Sequence, residues 1–326
     1  MIRFLVLRTA GIIGVLLAVT AATYVIFYVF PADPARMACG KPCTPESLAQ
    51  AREFLGIDQP LWVQYLDFLK GLVVGRTYGE GGGAIVCAAP CLGYSVQHHQ
   101  PMTTLIAQTF PVTVSIAAGA AVLWLLTGVA AGTVSALRRG RLPDRAVMTT
   151  AMVGVSMPSY LVGLLAILFF GFTLDVVPVG SYVPLTQNPA DWAFHLVTPW
   201  CVLALLNAAI YARLTRSQLL ETLGEDFVRT ARAKGLRERT VVVKHALRTA
   251  LVPVVTVFGL DLGALLGGAV ITERVFSMYG LGALLIDAVG HTDLPVITGV
   301  TILAAAFVVV ANLVVDLAYR ALDPRV

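Results

Sequence analysis

Apolar residues gather into six long runs along this chain, approximately Ala10 to Phe30, Thr104 to Leu137, Ala146 to Phe172, Ala193 to Ala212, Thr249 to Ile271 and Pro295 to Leu317. A helix needs roughly 20 such residues to cross hydrocarbon, and an amide left unbonded there costs several kcal/mol, so each run must satisfy its backbone internally. The pattern predicts six spanning helices. Arg3 and Arg8 ahead of the first run resemble a signal-peptide flank, but the run is too long for an h-region and no small-residue cleavage site follows, so it reads as an uncleaved span. Prolines recur within the runs at Pro111, Pro158, Pro199 and Pro253, where each either kinks its helix or starts it. Gly119, Gly128 and Gly132 in the second run, and Gly259, Gly263, Gly267 and Gly268 in the fifth, suit close helix–helix approach.

Composition agrees: 57% of the 326 residues are hydrophobic and 13% charged, too few charges to cover a soluble surface of that size. Charge then sets the expected orientation. The segments before the first run and after the second, fourth and sixth hold 17 basic residues against six in the other three connectors, and the excess side is expected to be cytoplasmic. Both termini are therefore expected inside. A nucleic-acid partner is excluded, because no soluble face is left to carry a basic patch.

The connector from Pro31 to Thr103 is long enough for structure of its own. Leu48 to Ile57 has helical spacing, with Thr44 and Pro45 marking a start, and Gly79 to Ala84 reads as a flexible link. Four of the five cysteines lie here, as Cys39 and Cys43 in CGKPC and Cys87 and Cys91 in CAAPC. On an oxidising face they suggest two disulfides, with Zn²⁺ as the alternative, and three pairings are open. A lipoprotein cleavage site at Cys39 conflicts with Arg36. Cys201, inside the fourth run, reads as a small packing residue.

Asp261 is the one carboxylate well inside a run, which makes it a candidate for the translocation pathway or for a hydrogen bond to a neighbouring helix, with Asn207 or Asn312 as partner. Asp316 and Arg320, four apart, read as an interfacial pair. No catalytic constellation, resident metal set or nucleotide-binding loop is present in the motifs: there is no G-x-S-x-G, H-E-x-x-H or G-x-x-x-x-G-K-[ST].

The connector from Arg213 to Arg248 is the most informative stretch. Thr222 and Glu225 have capping-box spacing; Phe227, Val228, Ala231 and Gly235 fall along one helical face, and Gly235 suits a left-handed close. A second amphipathic piece runs from Val241 to Leu247. So short a helix needs a partner surface, either the anionic leaflet or a groove on another subunit that takes its apolar face.

This stretch strongly resembles the cytoplasmic loop of permease subunits in bacterial ATP-binding-cassette (ABC) importers of dipeptides and oligopeptides. FPADPA, LGIDQPLWVQY, GYSV, SALRRGRLPDR, GVSMPSYLVGLL and ITERVFSMYGLGALLIDAV are similar to the same family, in order along nearly the whole chain. The resemblance implies an all-α membrane protein with the six helices of the type I ABC importer permease fold and a long extracytoplasmic loop between the first two. The divisions expected are 1–30 for the first helix, 31–103 for the loop and 104–326 for a five-helix core that includes the coupling loop 213–248.

It further implies that Glu225, Asp226, Phe227, Val228, Arg229, Thr230, Ala231, Arg232, Ala233, Lys234, Gly235 and Leu236 form a coupling segment for the ATPase. Arg229, Thr230, Ala231 and Gly235 occupy the E-A-A-x-x-x-G frame, with Arg229 and Thr230 replacing the acidic residue and the first alanine. Leu137 to Arg145 is a secondary contact. The partners implied are a homologous second permease, two cytoplasmic ATPase subunits that carry the ATP and Mg²⁺, an external peptide-binding protein and membrane lipid, in a bacterial inner membrane. This chain is expected to bind no cofactor and catalyse no covalent step. CGKPC and Gly79 to Cys91 depart from the family and suggest a disulfide-stiffened element touching the external binding protein. The same scaffold resembles importers of nickel chelates, glutathione or haem; the rival reading is a stand-alone ion-coupled transporter using Asp261.

Overall fold

The computed structural model describes residues 2–28, 35–36, 39, 43–56, 59–79 and 84–322, and the side chains of all of these but 2–9, 27–28, 54–55 and 316–322. The side chains of the expected Asp316–Arg320 pair are outside those described, and so is most of the glycine link from Gly79 to Ala84. Chain contacts divide the protein into two compact units, one of Met1–Pro111 with Tyr279–Val309 and one of Val112–Met278 with Val310–Val326.

In the first unit, α1 (Ile2–Tyr28) precedes two loop helices, α2 (Pro45–Leu55) and α3 (Leu61–Val74). Thr44 starts α2 as its spacing predicts: the hydroxyl accepts from the Ser47 amide at 3.2 Å, and Ser47 Oγ accepts from the Thr44 amide at 2.9 Å. The purely helical expectation is corrected here by two short antiparallel ladders. β1 (Arg76–Tyr78) pairs with β2 (Ile85–Cys87), Thr77 opposite Val86, and β3 (Tyr94–Ser95) pairs with β4 (Gln100–Pro101). The sequence hid them because strands of two or three residues leave no alternation to read.

Both C-x3-C units are closed as disulfides, Cys39–Cys43 and Cys87–Cys91. The second is buried with Tyr78 and Tyr94, and the Cys91 amide donates to Gly71 O at 3.1 Å, fastening the hairpin to the end of α3. The Arg76 guanidinium lies 4.9 Å over the Tyr78 ring, while burial pushes the Tyr78 phenol above its ordinary value. The unit also holds α11 (Leu281–His291) and the first part of α12 (Leu294–Leu322). Ser95 donates to the buried Asp293 carboxylate, and His98 Nδ1 stands 3.6 Å from the same oxygen.

The second unit contains most of α4 (Met102–Leu137), then α5 (Leu142–Ser156), α6 (Ser159–Thr173, ending in a π-turn), α7 (Pro189–Leu223), α8 (Asp226–Ala233), α9 (Glu238–Leu266) and α10 (Val270–Val275). Among the described residues, Met102–Leu137, Pro189–Leu223, Glu238–Leu266 and Leu294–Val315 are each long and apolar enough to cross a membrane. The third apolar run is broken at Pro158, one of the prolines read as a kink or a helix start, and not bent gently: α5 and α6 meet at 100°. Pro158 interrupts the helix here, since a residue before proline is driven from helical to extended backbone, and Met157 sits at φ −87°, ψ 129°. The described apolar stretch of α1, Ala10–Ile26, is shorter than the four long helices. Pro199 and Pro253 lie inside α7 and α9, so neither starts its helix.

At their crossing α4 and α7 are in close contact. A Cβ on Gly128 would stand 2.6 Å from Tyr211 Cβ, and one on Gly132 would stand 2.7 Å from Thr215 Cβ, so only glycine permits this approach. Around it packs the unit's core, with Ile116, Trp124, Leu196, Tyr211 and Val254 fully buried or nearly so.

Candidate functional site

The basic connector folds as a short helix seated on the ends of three long ones. α7 overshoots its apolar run to Leu223, and Gly224 and Glu225 turn the chain into α8. The expected capping box is corrected: Thr222 belongs to α7, where its hydroxyl donates to Gln218 O at 2.8 Å, and Glu225 is the N-cap without a side-chain bond. A hydroxyl that can bond back one turn keeps its residue helical as readily as it caps.

Val228 and Ala231 are buried in a cluster with Ala136 of α4, Leu219 of α7 and Val241, Ala246 and Ala250 of α9. Val228 and Ala231, half of the face read from sequence, are therefore used within the chain, which corrects the expectation that a partner surface, leaflet or groove, takes the whole face. What the segment shows outward is Phe227 at 44% exposure, Arg229, Thr230, Arg232, Ala233 and Lys234, followed by Gly235 and Leu236. Asp226 and Glu225 are exposed at its start, where acidic groups suit the positive end of the helix.

Side-chain bonds stiffen the outward surface. Thr230 Oγ1 donates to Asp226 O at 2.9 Å, and Arg229 lies 3.4 Å from the Asp226 carboxylate. Arg232 reaches across the turn to Glu238 with two bonds, Nη2 to Oε1 at 2.8 Å and Nε to Oε2 at 3.2 Å, tying α8 to the start of α9. That carboxylate also holds the Arg232 guanidinium above its ordinary pKa. Between them Gly235 has φ +74°, with its amide donating to Arg232 O at 2.9 Å; this is the left-handed closure its position predicts.

The base under α8 is itself locked. The buried Asp144, in the first turn of α5, accepts from Ser135 Oγ at 2.5 Å, from the Gly140 amide at 2.8 Å and from both Nε and Nη2 of Arg216 on α7. Sequence reasoning missed this clamp, because 72 positions separate its partners and each looks like an ordinary loop charge.

Asp261 on α9 accepts from Tyr211 Oη at 2.7 Å, not from either expected asparagine. Asn207 Nδ2 donates instead to Leu203 O, one turn back, and Asn312 lies on α12. Tyr211 is fully buried against Trp124 and Phe258. A fully buried carboxylate in the same unit escaped notice: Glu273 of α10 accepts from Thr113 Oγ1 at 2.7 Å and from the Ala269 amide at 3.3 Å. Its signal in the sequence is one acid following the apolar fifth run, in ITERVF. Cys201, expected in the packing, is exposed on α7 and lines an open apolar groove of about 500 Å³ between α4, α5 and α7.

Known proteins bear on this arrangement. Residues 128–326 match the family described as binding-protein-dependent transport system inner membrane component, and residues 1–117 match the N-terminal membrane component of the same systems. A Brucella abortus protein is 37% identical over 319 residues, covering 98% of this chain and 97% of its own. The di/tripeptide transport system permease protein DppB of Pseudomonas aeruginosa is 36% identical over 347 residues, covering 100% and 99%. The dipeptide transport system permease protein DppB of Escherichia coli K12 is 34% identical over 350 residues, again covering 100% and 99%. Among solved structures, an inward-facing MetNI methionine ABC transporter shares the fold with a TM-score of 0.55 at 20% identity, covering 68% of this chain and 98% of that one. This chain belongs to the inner membrane component family of binding-protein-dependent transport systems.

Proposed function

We propose that this chain is one of two homologous permease subunits forming the pore of an ATP-driven importer of di- and oligopeptides, with α8 as its coupling helix. The observation that carries the reading is the seating of α8. A helix of eight residues is too short to be stable alone, yet here two buried side chains and the Arg232–Glu238 bridge fix it to three long helices while its outer surface stays open. Such a part transmits displacement: a push on the Phe227 side moves the ends of α4, α7 and α9 together.

In this reading α1, α4, the bent pair α5–α6, α7, α9 and α12 are six spans, both termini face the cytoplasm with α8, and the 31–103 connector is extracytoplasmic. The excess of 17 basic residues on one side supports that orientation. ATP and Mg²⁺ belong to two ATPase subunits that grip the segment Glu225–Leu236, with Leu137 to Arg145 as a second contact. Nucleotide-driven closure of those subunits alternates the cavity between outward and inward access. An external binding protein delivers the peptide, and the relatives named for dipeptides and tripeptides support that cargo over nickel chelates, glutathione or haem. The chain itself carries out no covalent step.

The test is ATP hydrolysis by the chain purified with its partner subunits in proteoliposomes. Stimulation by the loaded peptide-binding protein is the expected result. Uptake by this chain alone, with no ATPase present, would overturn the reading in favour of an ion-coupled carrier.

A further inference from the structure

We propose that α3, although it belongs to the connector between the first two spans, is a membrane-embedded helix that turns Trp62, Leu66, Val73 and Val74 onto lipid acyl chains. Its inner face fixes its depth. Tyr24 of α1 donates to Gln64 Oε1 at 2.9 Å, and Tyr65 Oη donates to Leu17 O at 3.2 Å while standing 2.9 Å from Thr20 Oγ1. Phe68 is buried in one cluster with Tyr24 and with Ile302 of α12.

These partners are not at a membrane surface. Leu17 is near the middle of the apolar stretch Ala10–Ile26, and Ile302 is eight residues inside the apolar stretch that begins at Leu294. At 1.5 Å per residue that is about 12 Å below the start of a hydrocarbon layer roughly 30 Å thick. A helix packed against Leu17 and Ile302 shares their depth.

The outward face has the composition that depth demands. Trp62 is 67% exposed and Val73 78%, with Leu66 and Val74 also exposed, and Lys70 is the one charged residue among the exposed positions of α3. A lysine stem runs along apolar surface and lets its ammonium reach the headgroups. On α1, Ile13 and Val25 are likewise exposed apolar residues. At 14 residues α3 is too short to cross, yet its interior amides are bonded within the helix and those of Val63 and Gln64 to Pro60 O, which limits the backbone cost of resting in lipid. A soluble external protein has no access to groups at this depth, which is why lipid is the occupant assigned.

The experiment uses the full-length chain in phosphatidylcholine–phosphatidylglycerol vesicles, with Cys201→Ala to remove the free thiol and a nitroxide attached at Leu66→Cys or at Val73→Cys. Glu53→Cys on α2 is the water-facing reference. Collisions with oxygen should exceed collisions with a water-soluble nickel chelate at 66 and 73, and the order should reverse at 53. Nickel access at 66 and 73 equal to that at 53 would overturn the proposal, as would labels reached by neither reagent, the signature of a protein partner.

Discussion

Arg216 grips Asp144 with one edge of its guanidinium, Nε to Oδ1 at 2.6 Å and Nη2 to Oδ2 at 3.0 Å. The bond joins α7 to the first turn of α5, and because Asp144 also holds Ser135 and the Gly140 amide, the turn between α4 and α5 is fixed by the same carboxylate. Two parallel bonds require a planar fork, which lysine lacks. Arg216→Lys should therefore lower the melting temperature of the purified protein, and Asp144→Asn should lower it further by leaving a guanidinium without its counter-charge. The double variant should lose less than the two single losses added together. Melting curves in detergent check this; a wild-type curve for Asp144→Asn would remove the clamp from the account.

Neighbouring residues on α8 should fail in different ways. Val228 is buried and Phe227 is 44% exposed. Val228→Ala deletes two buried carbons and should cost about 2 kcal/mol of stability, a fall visible in the melt. Phe227→Ala should leave the melt unchanged and weaken binding of the ATPase subunits about tenfold, the usual scale for losing an aromatic anchor at an interface. If both variants lower only the melting temperature, the outer face of α8 is not a docking surface.

Gly235 separates strain from contact, since nothing lies within 4 Å of where a Cβ would be. Its φ of +74° still penalises a side chain, so Gly235→Ala should cost on the order of 1 kcal/mol and Gly235→Asn less. Gly235→Pro cannot reach that φ and removes the amide bonded to Arg232 O, so the turn after α8 must rebuild. Peptide-stimulated ATP hydrolysis in the reconstituted importer should follow the order Gly, Asn, Ala, Pro. Full activity in the proline variant would exclude a coupling role for this turn.

How much of this was legible in the sequence depends on the range of the forces involved. Hydrophobic runs and the turn at Gly235 are local, and the structure has long helices in the second, fourth, fifth and sixth runs and φ +74° at the glycine. Pro158 was read as a kink or start, but a 100° break depends on how α5 and α6 pack as well as on one missing amide. Of the amphipathic face read for α8, Val228 and Ala231 are buried within the chain while Phe227 and Gly235 are exposed, because periodicity suggests that a face is covered without naming how much of it or by what. Asp144–Arg216 and Tyr211–Asp261 join residues 72 and 50 positions apart, where only the fold brings the charges together. Depth in the membrane is equally non-local: α3 looks like loop from its neighbours and like lipid surface from its contacts with Tyr24 and Ile302.

Asp261 allows the coupled-pump and ion-carrier readings to be told apart. The Tyr211 hydroxyl donates to it at 2.7 Å beneath Trp124 and Phe258, an arrangement that a protein uses to hold a helix in register as readily as to carry a proton. For a subunit driven from α8, Asp261→Asn should preserve ATP-dependent uptake to within a few fold, because an amide oxygen still accepts from Tyr211. Tyr211→Phe should act in the same direction. Uptake assays with and without a proton gradient decide the matter: abolished transport in Asp261→Asn together with gradient dependence in the wild type would favour the carrier.

Thiol chemistry tests the cysteine-bearing connector directly. The chain has five cysteines, of which Cys39 with Cys43 and Cys87 with Cys91 are paired, leaving Cys201 exposed on α7. Alkylation of the unreduced protein in detergent should add one group, and alkylation after reduction and unfolding should add five. Cleavage between Gly56 and Arg76 should release two separate peptides before reduction, since each bridge joins residues four apart and neither crosses from one pair to the other. Three or five groups before reduction, or fragments held together until reductant is added, would contradict the pairing. Replacing Cys87 and Cys91 by serine removes the bridge from a buried cluster with Tyr78 and Tyr94, so the variant should lose hairpin order, read as proteolysis near residue 80, while the remaining bridge stays closed.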